Sequence, residues 1–451
     1  MTKSNAQFKR AITKLPLGVS SNFRYWGDDK TIYVKKGKGG RITDLDDNVY
    51  VDYRLGYGPA ILGYAHPEVD EAAKRGMEVG GVFALGTEME YTVASRISKM
   101  VPAAELIRFS NSGTEAVMAA LRIARGYTGK DEYILIEGGY HGLFDAALWM
   151  KAMDEWTETG EPDTVTYSKG VPMITGSLAH FVQANDSNAL EAVMKKHSGK
   201  IAALLIEPIM GNCLGINHSP ESIRAARALC DKYGIVMIID EVKTGFRVGR
   251  GGVQGLMGVK PDLTTFAKAV ANGYPISVVA GKEEIMRKVG KGIAHGGTYT
   301  AHSVSLAAAD TCLRILDETD ALDRIAAYGT RLREGISKIL AKRDIDHCFV
   351  GHPAMSGLYF NSVAPKTYRD WKRSDYTFYD IMAQYMIDKG ILVEPDSREP
   401  WFLSAAHDES CMQDTLAAME YSVDETIKFI ASGGTIEKMN QTVPTMELIN
   451  S

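Results

Sequence analysis

The sequence predicts an α/β fold with a mainly parallel central sheet, helices on both faces and a smaller α+β domain. Short, almost wholly apolar runs alternate with helical patterns from about residue 104 to about residue 285. Such runs are typical of strands buried on both faces, which occur in parallel sheets covered by helices. The chain of 451 residues is also longer than one typical domain, so a second, smaller domain is expected.

The predicted elements follow one another along the chain. Residues 40–52 contain two short strand patterns around a polar turn, which is typical of a hairpin. After the central region, the pattern at 305–316 begins a series of amphipathic helices, and the runs at 356–360 and 391–393 are predicted strands of the smaller domain. The candidate strands of the central sheet are 106–109, 133–136, 202–206, 235–239, 263–267 and 276–280.

Composition and charge exclude several classes of protein. Hydrophobic residues make up 45% and charged residues 24% of the chain, as in ordinary soluble globular proteins. The net charge of -5, with both signs interspersed, provides no basic stripe for nucleic-acid phosphates. The first twenty residues have no signal-peptide pattern, and no run approaches the roughly 18 apolar residues of a membrane span. The five scattered cysteines have no zinc or redox spacing, so we expect reduced thiols, no metal site and a cytoplasmic location.

An anion-binding turn is predicted where the first strand of the central sheet meets a helix. Ser112, Gly113 and Thr114 follow the strand at 106–109 and precede a helical pattern. Two hydroxyls, a close backbone approach at the glycine and the free N–H groups of a helix N-terminus suit a phosphate. The alternative is an ordinary N-cap without a ligand, and this segment alone favours neither interpretation.

Three other strand ends carry unusual residues. Tyr140, in the segment 137–142, can stack on a flat ring, although a tight turn with a surface aromatic is the commoner explanation of such a segment. Glu207 and Asp240 each follow an all-apolar strand. Because a carboxylate in that position is costly to bury alone, we expect Asp240 to have a cation or a hydrogen-bond donor as its partner.

Lys268 connects these features to one cofactor. A lone lysine is usually solvated, but Lys268 follows the apolar segment 263–267, which predicts a partly desolvated amine with a lowered pKa. Such an amine can form an imine. Pyridoxal 5'-phosphate requires a Schiff-base lysine and an acid at its pyridine nitrogen, and it also suits a phosphate site and a stacking aromatic. The chain has no dinucleotide fingerprint, Walker lysine motif, HExxH pair or GxSxG elbow that favours another chemistry.

These segments resemble the class III aminotransferases of fold type I, and within that class the glutamate-1-semialdehyde aminomutase branch. The resemblance covers about residues 18–417. Its most specific segments are 111–116, 140–142, 240–247 and the region of Lys268. Four such segments in the same order argue against chance agreement.

The resemblance implies a role for each residue around the cofactor ring. It implies that Lys268 holds pyridoxal phosphate as a Schiff base and that Asp240 keeps the pyridine nitrogen protonated. Tyr140 and Val242 are expected on opposite faces of the ring. Further residues expected near the cofactor, without an assigned role, are His141, Glu207 and Asn212.

The resemblance also implies a homodimer with shared active sites. The turn at 112–114 is expected to bind the cofactor phosphate, and Thr298 is expected to reach the phosphate held by the neighbouring subunit. Residues 1–65 then form an N-terminal segment that contributes to the small domain and the active site. Residues 66–320 form the large cofactor-binding domain, and residues 321–451 form the C-terminal α+β domain.

Substrate contacts are expected from both ends of the chain. The segment at 18–24 resembles the aminomutase segment that holds the substrate carboxylate. The resemblance assigns Ser21 and Arg24 to this role, for which a guanidinium is well suited. The alternative for Arg24 is an exposed charge in a loop. Tyr57 stands where the aminomutases have a tryptophan, and Arg398 is a second candidate cation in the domain expected to close over the cleft.

Other departures from the aminomutase pattern indicate an altered substrate pocket. Leu143 replaces a second histidine, and Lys243 replaces a methionine. Residues 269–273 replace a glycine-rich run, and residues 298–303 replace a stretch that ends in Gly-Asn-Pro. The cofactor site is retained while its surroundings differ.

We therefore expect a pyridoxal-phosphate enzyme that transfers amino groups between small molecules: an aminotransferase with ping-pong kinetics and pyridoxamine 5'-phosphate as the intermediate cofactor form. Its donor is an amine or amino acid, and its acceptor is a keto acid or aldehyde. The first alternative is a 2,1-aminomutase, which returns the amino group to the same molecule. A racemase or decarboxylase is a second alternative. A binding module without catalysis is disfavoured because it leaves Lys268 and Asp240 without a role.

Overall fold

The computed structural model describes residues 2–153 and 161–434. Several short 3-10 turns connect its regular elements. The α-helices are α1 (Thr2–Ala11), α2 (Pro67–Val79), α3 (Glu88–Met100), α4 (Gly113–Thr128), α5 (Ser187–Lys196), α6 (Pro220–Tyr233), α7 (Gly252–Met257), α8 (Glu283–Met286), α9 (Ser303–Glu318), α10 (Ala321–Ala341), α11 (Tyr368–Lys372), α12 (Thr377–Asp388) and α13 (Glu409–Ala431).

The strands form one large sheet and four small ones. They are β1 (Val34–Lys38), β2 (Arg41–Asp44), β3 (Val49–Asp52), β4 (Leu106–Ser110), β5 (Glu132–Ile136), β6 (Trp149–Lys151), β7 (Thr164–Thr166), β8 (Ala179–Val182), β9 (Ile201–Ile206), β10 (Ile209–Met210), β11 (Ile216–Asn217), β12 (Val236–Asp240), β13 (Leu263–Phe266), β14 (Ser277–Gly281), β15 (Cys348–His352), β16 (Met355–Tyr359), β17 (Ile391–Leu392) and β18 (Trp401–Phe402).

The central sheet has seven strands in the order β4-β14-β13-β12-β9-β5-β8. Strand β14 is antiparallel to both of its neighbours, and the other pairs are parallel. All strands except β14 therefore run in one direction, which confirms the predicted mainly parallel sheet. The six predicted strands match the observed bounds to within about one residue. Strand β8 was not predicted, because this edge strand is short, fully buried only at its two ends and without a continuous apolar run.

Helices cover both faces of the sheet, because alternate residues of each buried strand point to opposite sides. On one face, Leu204 and Met237 share a core with α5 and α6. On the other face, Leu205 and Ile238 pack in a core with α4. The predicted α/β layers are confirmed, and they hold the carboxyl ends of the strands at a fixed spacing.

The N-terminal hairpin joins a strand from the C-terminal part of the chain. Strands β2 and β3 pair antiparallel, which confirms the predicted hairpin. Strand β17 pairs in parallel with β3, so Ile391 lies opposite Val51. The segments predicted as residues 1–65 and 321–451 thus each contribute strands to one small sheet. The boundaries of the three domains stay predictions. Residues 435–451 lie outside the described residues. Within the described ranges, no helix has the length and apolar character needed to cross a membrane.

Close packing of α2 on α9 leads to the first prediction. A Cβ atom at Gly76 would lie 2.7 Å from the Ser303 carbonyl oxygen and 2.8 Å from the Val304 Cα. Gly76→Ala is therefore expected to force the two helices apart and to lower the free energy of unfolding by about 1–3 kcal/mol. Thermal unfolding of the purified protein measures the loss.

Gly255→Ala in α7 is the matched control. Its Cβ atom would meet no atom within 4 Å, so the substitution is expected to be neutral or slightly stabilising. Equal unfolding temperatures for the two variants would contradict the assigned packing.

Candidate active site

One cavity of about 270 Å³ lies at the carboxyl edge of the sheet. Because β4, β5, β9, β12 and β13 run in one direction, the segments that follow them meet there, as ligand sites do in open α/β sheets. The structure brings most of the predicted cofactor residues together. Those that line the cavity are Ser112, Gly113, Thr114, Tyr140, His141, Glu207, Asp240, Val242 and Lys268.

The turn before α4 forms a capping box. The Ser112 hydroxyl accepts a hydrogen bond from the Glu115 N–H at 3.3 Å. The Glu115 carboxylate accepts bonds from the N–H groups of Asn111 and Ser112, both at 2.8 Å. The N-cap interpretation is therefore confirmed. It leaves the anion-binding interpretation open, because the N–H groups of Gly113 and Thr114 lie in the first helical turn, where no earlier carbonyl receives them.

Gly142 brings the turn after β5 against this capping box. Its φ is 100°, and a Cβ atom there would lie 2.6 Å from the Thr114 hydroxyl oxygen. That oxygen accepts a hydrogen bond from the Leu143 N–H at 3.2 Å. The two turns therefore enclose one small space at the end of the cavity.

The buried carboxylate of Asp240 has three hydrogen-bond partners. His141 Nδ1 lies 2.9 Å from Oδ2, and Oδ1 accepts bonds from the Val242 N–H at 3.0 Å and the Thr265 hydroxyl at 3.1 Å. Burial lowers the pKa of His141, but the hydrogen bond with Asp240 and the charges of Asp240 and Glu207 together outweigh burial and raise this pKa above its ordinary value. Asp240 therefore has a hydrogen-bond partner in the protein itself, and the sequence pattern did not identify this pairing.

Lys268 follows β13 in a left-handed backbone conformation, with φ at 47°. Such a conformation is strained for a side chain other than glycine and is frequent at functional sites. Burial lowers the pKa of Lys268 to about 8, and the positive charge of Lys243 adds to the effect. The predicted desolvation of this amine is confirmed. A substantial fraction of the amine is therefore neutral near physiological pH.

Glu207 holds Tyr140 at the mouth of the cavity. Its carboxylate accepts hydrogen bonds from the Tyr140 N–H at 2.7 Å and the Gly211 N–H at 3.2 Å. Burial raises the pKa of Glu207. The Tyr140 ring also meets the ring of Phe23 edge-on, at 6.3 Å between centroids. Tyr140 thus lies between the cavity and the N-terminal segment.

Lys243, which lines the cavity, belongs to a buried ion pair that the sequence did not predict. Lys243 Nζ lies 2.8 and 2.7 Å from the two carboxylate oxygens of Glu399 and 2.5 Å from the Asn212 side-chain oxygen. Its side chain is only 5% exposed. These three acceptors occupy the three N–H groups of the ammonium. Asn212 thus contacts Lys243 and lines a neighbouring pocket, and its contact with a cofactor stays a prediction.

The predicted substrate residues lie around two further cavities. Ser21, Arg24 and Tyr57 line one of about 600 Å³. Arg24 is exposed, and it forms no ion pair within the described residues. Arg398 lines the other together with Tyr140, and it is paired with Asp396 at 2.7 Å. The structure therefore places Arg398 in one cavity with Tyr140 and Arg24 in the other cavity with Tyr57.

Arg54 is a residue of this region that the sequence did not indicate. Its guanidinium donates to the Glu394 carboxylate at 2.7 Å and lies between the rings of Trp26 and Tyr57, 4.6 and 4.8 Å from their centroids. The Tyr57 hydroxyl donates to the Phe23 carbonyl at 3.0 Å. A single arginine after a hairpin strand carries no pattern from which this position could be predicted.

Thr298 lies in an exposed loop before α9, away from the cavity of its own chain. This placement is compatible with the predicted contact to a neighbouring subunit, which stays a prediction. The segment just before α3 approaches the same place, since the Gly81 N–H donates to the Ser303 hydroxyl at 3.0 Å.

A mainly parallel sheet with a desolvated lysine, a buried acid and a helix N-terminus at one edge is the arrangement of the fold type I pyridoxal-phosphate enzymes. The model of one family within this class, described as aminotransferase class-III, matches residues 24–415. The chain belongs to that family, and it is a pyridoxal-phosphate-dependent enzyme.

Individual relatives carry two kinds of name. A protein named glutamate-1-semialdehyde 2,1-aminomutase, from Methanothrix thermoacetophila, is 38% identical over 93% of this chain and 96% of its own length. A second protein of that name, from Nitrosospira multiformis, is 36% identical over 93% of this chain and 99% of its own length. The crystal structure of an omega-transaminase from Sphaerobacter thermophilus superposes with a TM-score of 0.88 at 29% identity, covering 94% of this chain and 98% of that one.

The ion pair of Lys243 and Glu399 leads to a prediction for the enzyme with bound cofactor. Lys243→Met removes a positive charge near Lys268, so it is expected to raise the pH at which the cofactor-bound Lys268 nitrogen loses its proton. Glu399→Gln removes the negative charge that offsets Lys243, so it is expected to lower the pH at which the Lys268 nitrogen loses its proton. Each change should be about 0.5–1 pH unit. The measurement is a pH titration of the visible absorbance of the bound cofactor.

The double variant Lys243→Met/Glu399→Gln is the control, and its midpoint should fall between those of the single variants. Circular dichroism checks that each variant is folded. Midpoints that move in the same direction in both single variants would rule out the electrostatic explanation.

Proposed function

We propose that this enzyme is an intermolecular aminotransferase that moves an amino group from an amine or amino acid to a keto acid or aldehyde. The observation that carries the proposal is the cavity itself. Lys268, with a pKa of about 8, lines the cavity together with Asp240 and His141, and Lys243, which is paired with Glu399, lines it as well. The lysine and the Asp240–His141 pair suit the cofactor, whereas the Lys243–Glu399 pair distinguishes this cavity from the aminomutase pattern, which has methionine at position 243.

The residues present fit pyridoxal phosphate. The Gly113 and Thr114 N–H groups suit its phosphate, and Tyr140 and Val242 line the space for its ring. His141 Nε2 is buried without a hydrogen-bond partner in the described ranges, so one polar atom of this wall is left for a ligand. When bound, the cofactor supplies an electron sink for the negative charge that develops at the substrate carbon.

Lys268 is proposed to bind the cofactor and then to move the proton. A base works best when its pKa lies near the working pH, and burial brings Lys268 into that range. Lys268 has a left-handed backbone conformation and lines the cavity. With the cofactor bound, Lys268 would take a proton from the substrate carbon and deliver it to the cofactor in the same half-reaction, and it would reverse that transfer with the second substrate.

Asp240 is proposed to keep the cofactor's ring nitrogen protonated. Its Oδ2 atom bonds His141, and a carboxylate oxygen can accept more than one hydrogen bond. The contacts with His141, the Val242 N–H and the Thr265 hydroxyl hold the Asp240 carboxylate in place in the buried site.

Substrate carboxylates are proposed to bind Arg24, with Arg398 as the second cation. Arg24 and Ser21 share their cavity with Tyr57. Arg398 is already held by Asp396, so a substrate carboxylate competes there with a fixed partner. The exposed Arg24 meets no such competition from an ion pair within the described residues.

The alternative is a glutamate-1-semialdehyde-type 2,1-aminomutase. The names of the relatives at 36% and 38% identity support it. Tyr57, which stands where the aminomutase pattern has tryptophan, and Lys243, which replaces methionine, support the intermolecular reaction instead. The two reactions share every proposed role at the cofactor. They differ in whether a carbonyl product leaves and a second substrate enters, or a diamine stays bound and is converted in the same site.

A homodimer with shared active sites is part of the proposal. Beside the Thr298 loop, Leu85 is 81% exposed and Tyr299 is 63% exposed. Large apolar side chains with this exposure are typical of a surface that a second subunit covers. A second copy seated there places Thr298 next to a neighbouring active site.

The reaction is tested with a panel of amines and amino acids, each with and without pyruvate or 2-oxoglutarate. We expect a carbonyl product and net amino transfer only when an acceptor is present, with ping-pong kinetics. Lys268→Ala is expected to lower turnover by at least about a thousandfold, because the base is lost. Isomerisation of a vicinal amino aldehyde without an acceptor, and no transfer to any keto acid, would support the aminomutase instead.

The carboxylate site is tested with Arg24→Ala. A charge-assisted hydrogen bond contributes about 1.5–3 kcal/mol, so kcat/KM for carboxylated substrates is expected to fall roughly ten- to a hundredfold. An amine without a carboxylate should change little. Arg10→Ala, in the exposed helix α1, is the matched control and should match the parent enzyme. Equal losses for both kinds of substrate in Arg24→Ala would mean that Arg24 only holds the N-terminal segment in place.

A further inference from the structure

Two histidines and a glutamate converge at the edge of the sheet opposite the cavity. Glu132 Oε2 lies 2.8 Å from His180 Nε2 and 3.0 Å from His197 Nδ1. The two imidazole rings lie side by side, with 3.9 Å between their centroids. The three ligand atoms all lie within 4.8 Å of one another.

Three different elements bring these side chains together. Glu132 is the first residue of β5, His180 is the second residue of the neighbouring parallel strand β8, and His197 ends α5. Because parallel strands begin at one edge and end at the other, this cluster is separated by the length of the strands from Lys268 at the carboxyl edge. It therefore takes no part in the reaction proposed above.

The donor set is that of a transition-metal site. Imidazole nitrogens and a carboxylate oxygen are common ligands of zinc, with bonds of about 2.0–2.2 Å. Tetrahedral bonds of this length place ligand atoms about 3.3 Å apart. The observed separations of 2.8 and 3.0 Å need only a small widening to admit an ion in place of the hydrogen bonds.

Burial and access also suit a metal ion. The side chains of His180, Glu132 and His197 are 15%, 16% and 24% exposed, so the cluster is shielded but still reached by solvent. A water molecule can therefore supply a fourth ligand. Lys196, next to His197, is the nearby charge that opposes a cation, and it limits the expected affinity.

We propose that Glu132, His180 and His197 bind one divalent transition-metal ion, with zinc as the representative ligand. The ion joins the edge strand β8 and the end of α5 to the interior strand β5. Its role is structural, because it connects three elements and lies away from the reacting groups. The spacing 132, 180 and 197 along the chain forms no sequence motif, which explains why the sequence alone predicted no metal site.

The test is a titration of the untagged holoenzyme with Zn²⁺ alone, monitored by isothermal titration calorimetry. Equilibrium dialysis with metal analysis is the second measurement. We expect one ion per chain. Glu132→Gln keeps the size of the side chain but removes its charge, and His197→Gln removes one ligand nitrogen. Each should weaken binding by about tenfold or more, since even partners outside the ligand shell commonly contribute this much.

His347→Gln is the matched control, because His347 is also partly buried and hydrogen-bonded but is bonded to a carbonyl and to the Ser337 hydroxyl. It should bind zinc as the parent protein does. A Co²⁺ titration adds a direct readout, since visible cobalt bands from imidazole ligation should disappear in both ligand variants. Circular dichroism identifies any variant that does not fold, and the second variant then decides.

The cofactor spectrum separates this site from metal bound at the active site. Addition of Zn²⁺ should leave the visible absorbance of the bound cofactor unchanged. One ion that persists in Glu132→Gln and His197→Gln, or no bound ion in the parent protein, would overturn the proposal. Neither result bears on amino transfer, which the substrate panel tests independently.

Discussion

Burial of charge at one edge of the sheet is the constraint on which the candidate active site depends. Ionised groups inside a protein are stable only with partners, because desolvation costs several kcal/mol for each ion. Asp240 is matched by His141, and Lys243 is matched by Glu399. Within the described part of the chain, Lys268 is the cavity-lining cation without an ion-pair partner, and its lowered pKa follows from this position.

The same requirement connects the two ends of the chain to the large sheet. Lys243 follows β12, whereas Glu399 lies in the loop that also presents Arg398. Arg54, just after β3, is paired with Glu394 in the same C-terminal region. These ion pairs hold the candidate substrate contacts at fixed positions around Tyr140. A substitution in one partner therefore acts both on the electrostatics of Lys268 and on the position of the substrate groups.

The family and the reaction are determined by different parts of the structure. The cofactor edge depends on strand direction, a helix N-terminus and a few buried groups, and these features serve any reaction that begins at an amino carbon. The fate of the amino group depends on whether the first product leaves the site, which is a property of the substrate contacts. Tyr57 and Lys243 differ from the aminomutase pattern, and they lie in the two cavities of this region. This explains how relatives with a common cofactor site can carry the names of two different reactions.

The sequence alone determined the fold class, the strands of the central sheet except β8, and the residues that gather at its carboxyl edge. These are local properties of the sequence. An apolar run indicates a buried strand, and the residues that directly follow a strand are expected at the carboxyl edge of the sheet. Only the tertiary structure decided which side chains pair across the chain. The contacts Asp240–His141, Lys243–Glu399, Arg54–Glu394, Glu132–His180 and Glu132–His197 join residues between 48 and 340 positions apart. No local pattern encodes such pairs, because they arise when β-strands and loops distant in sequence are packed side by side.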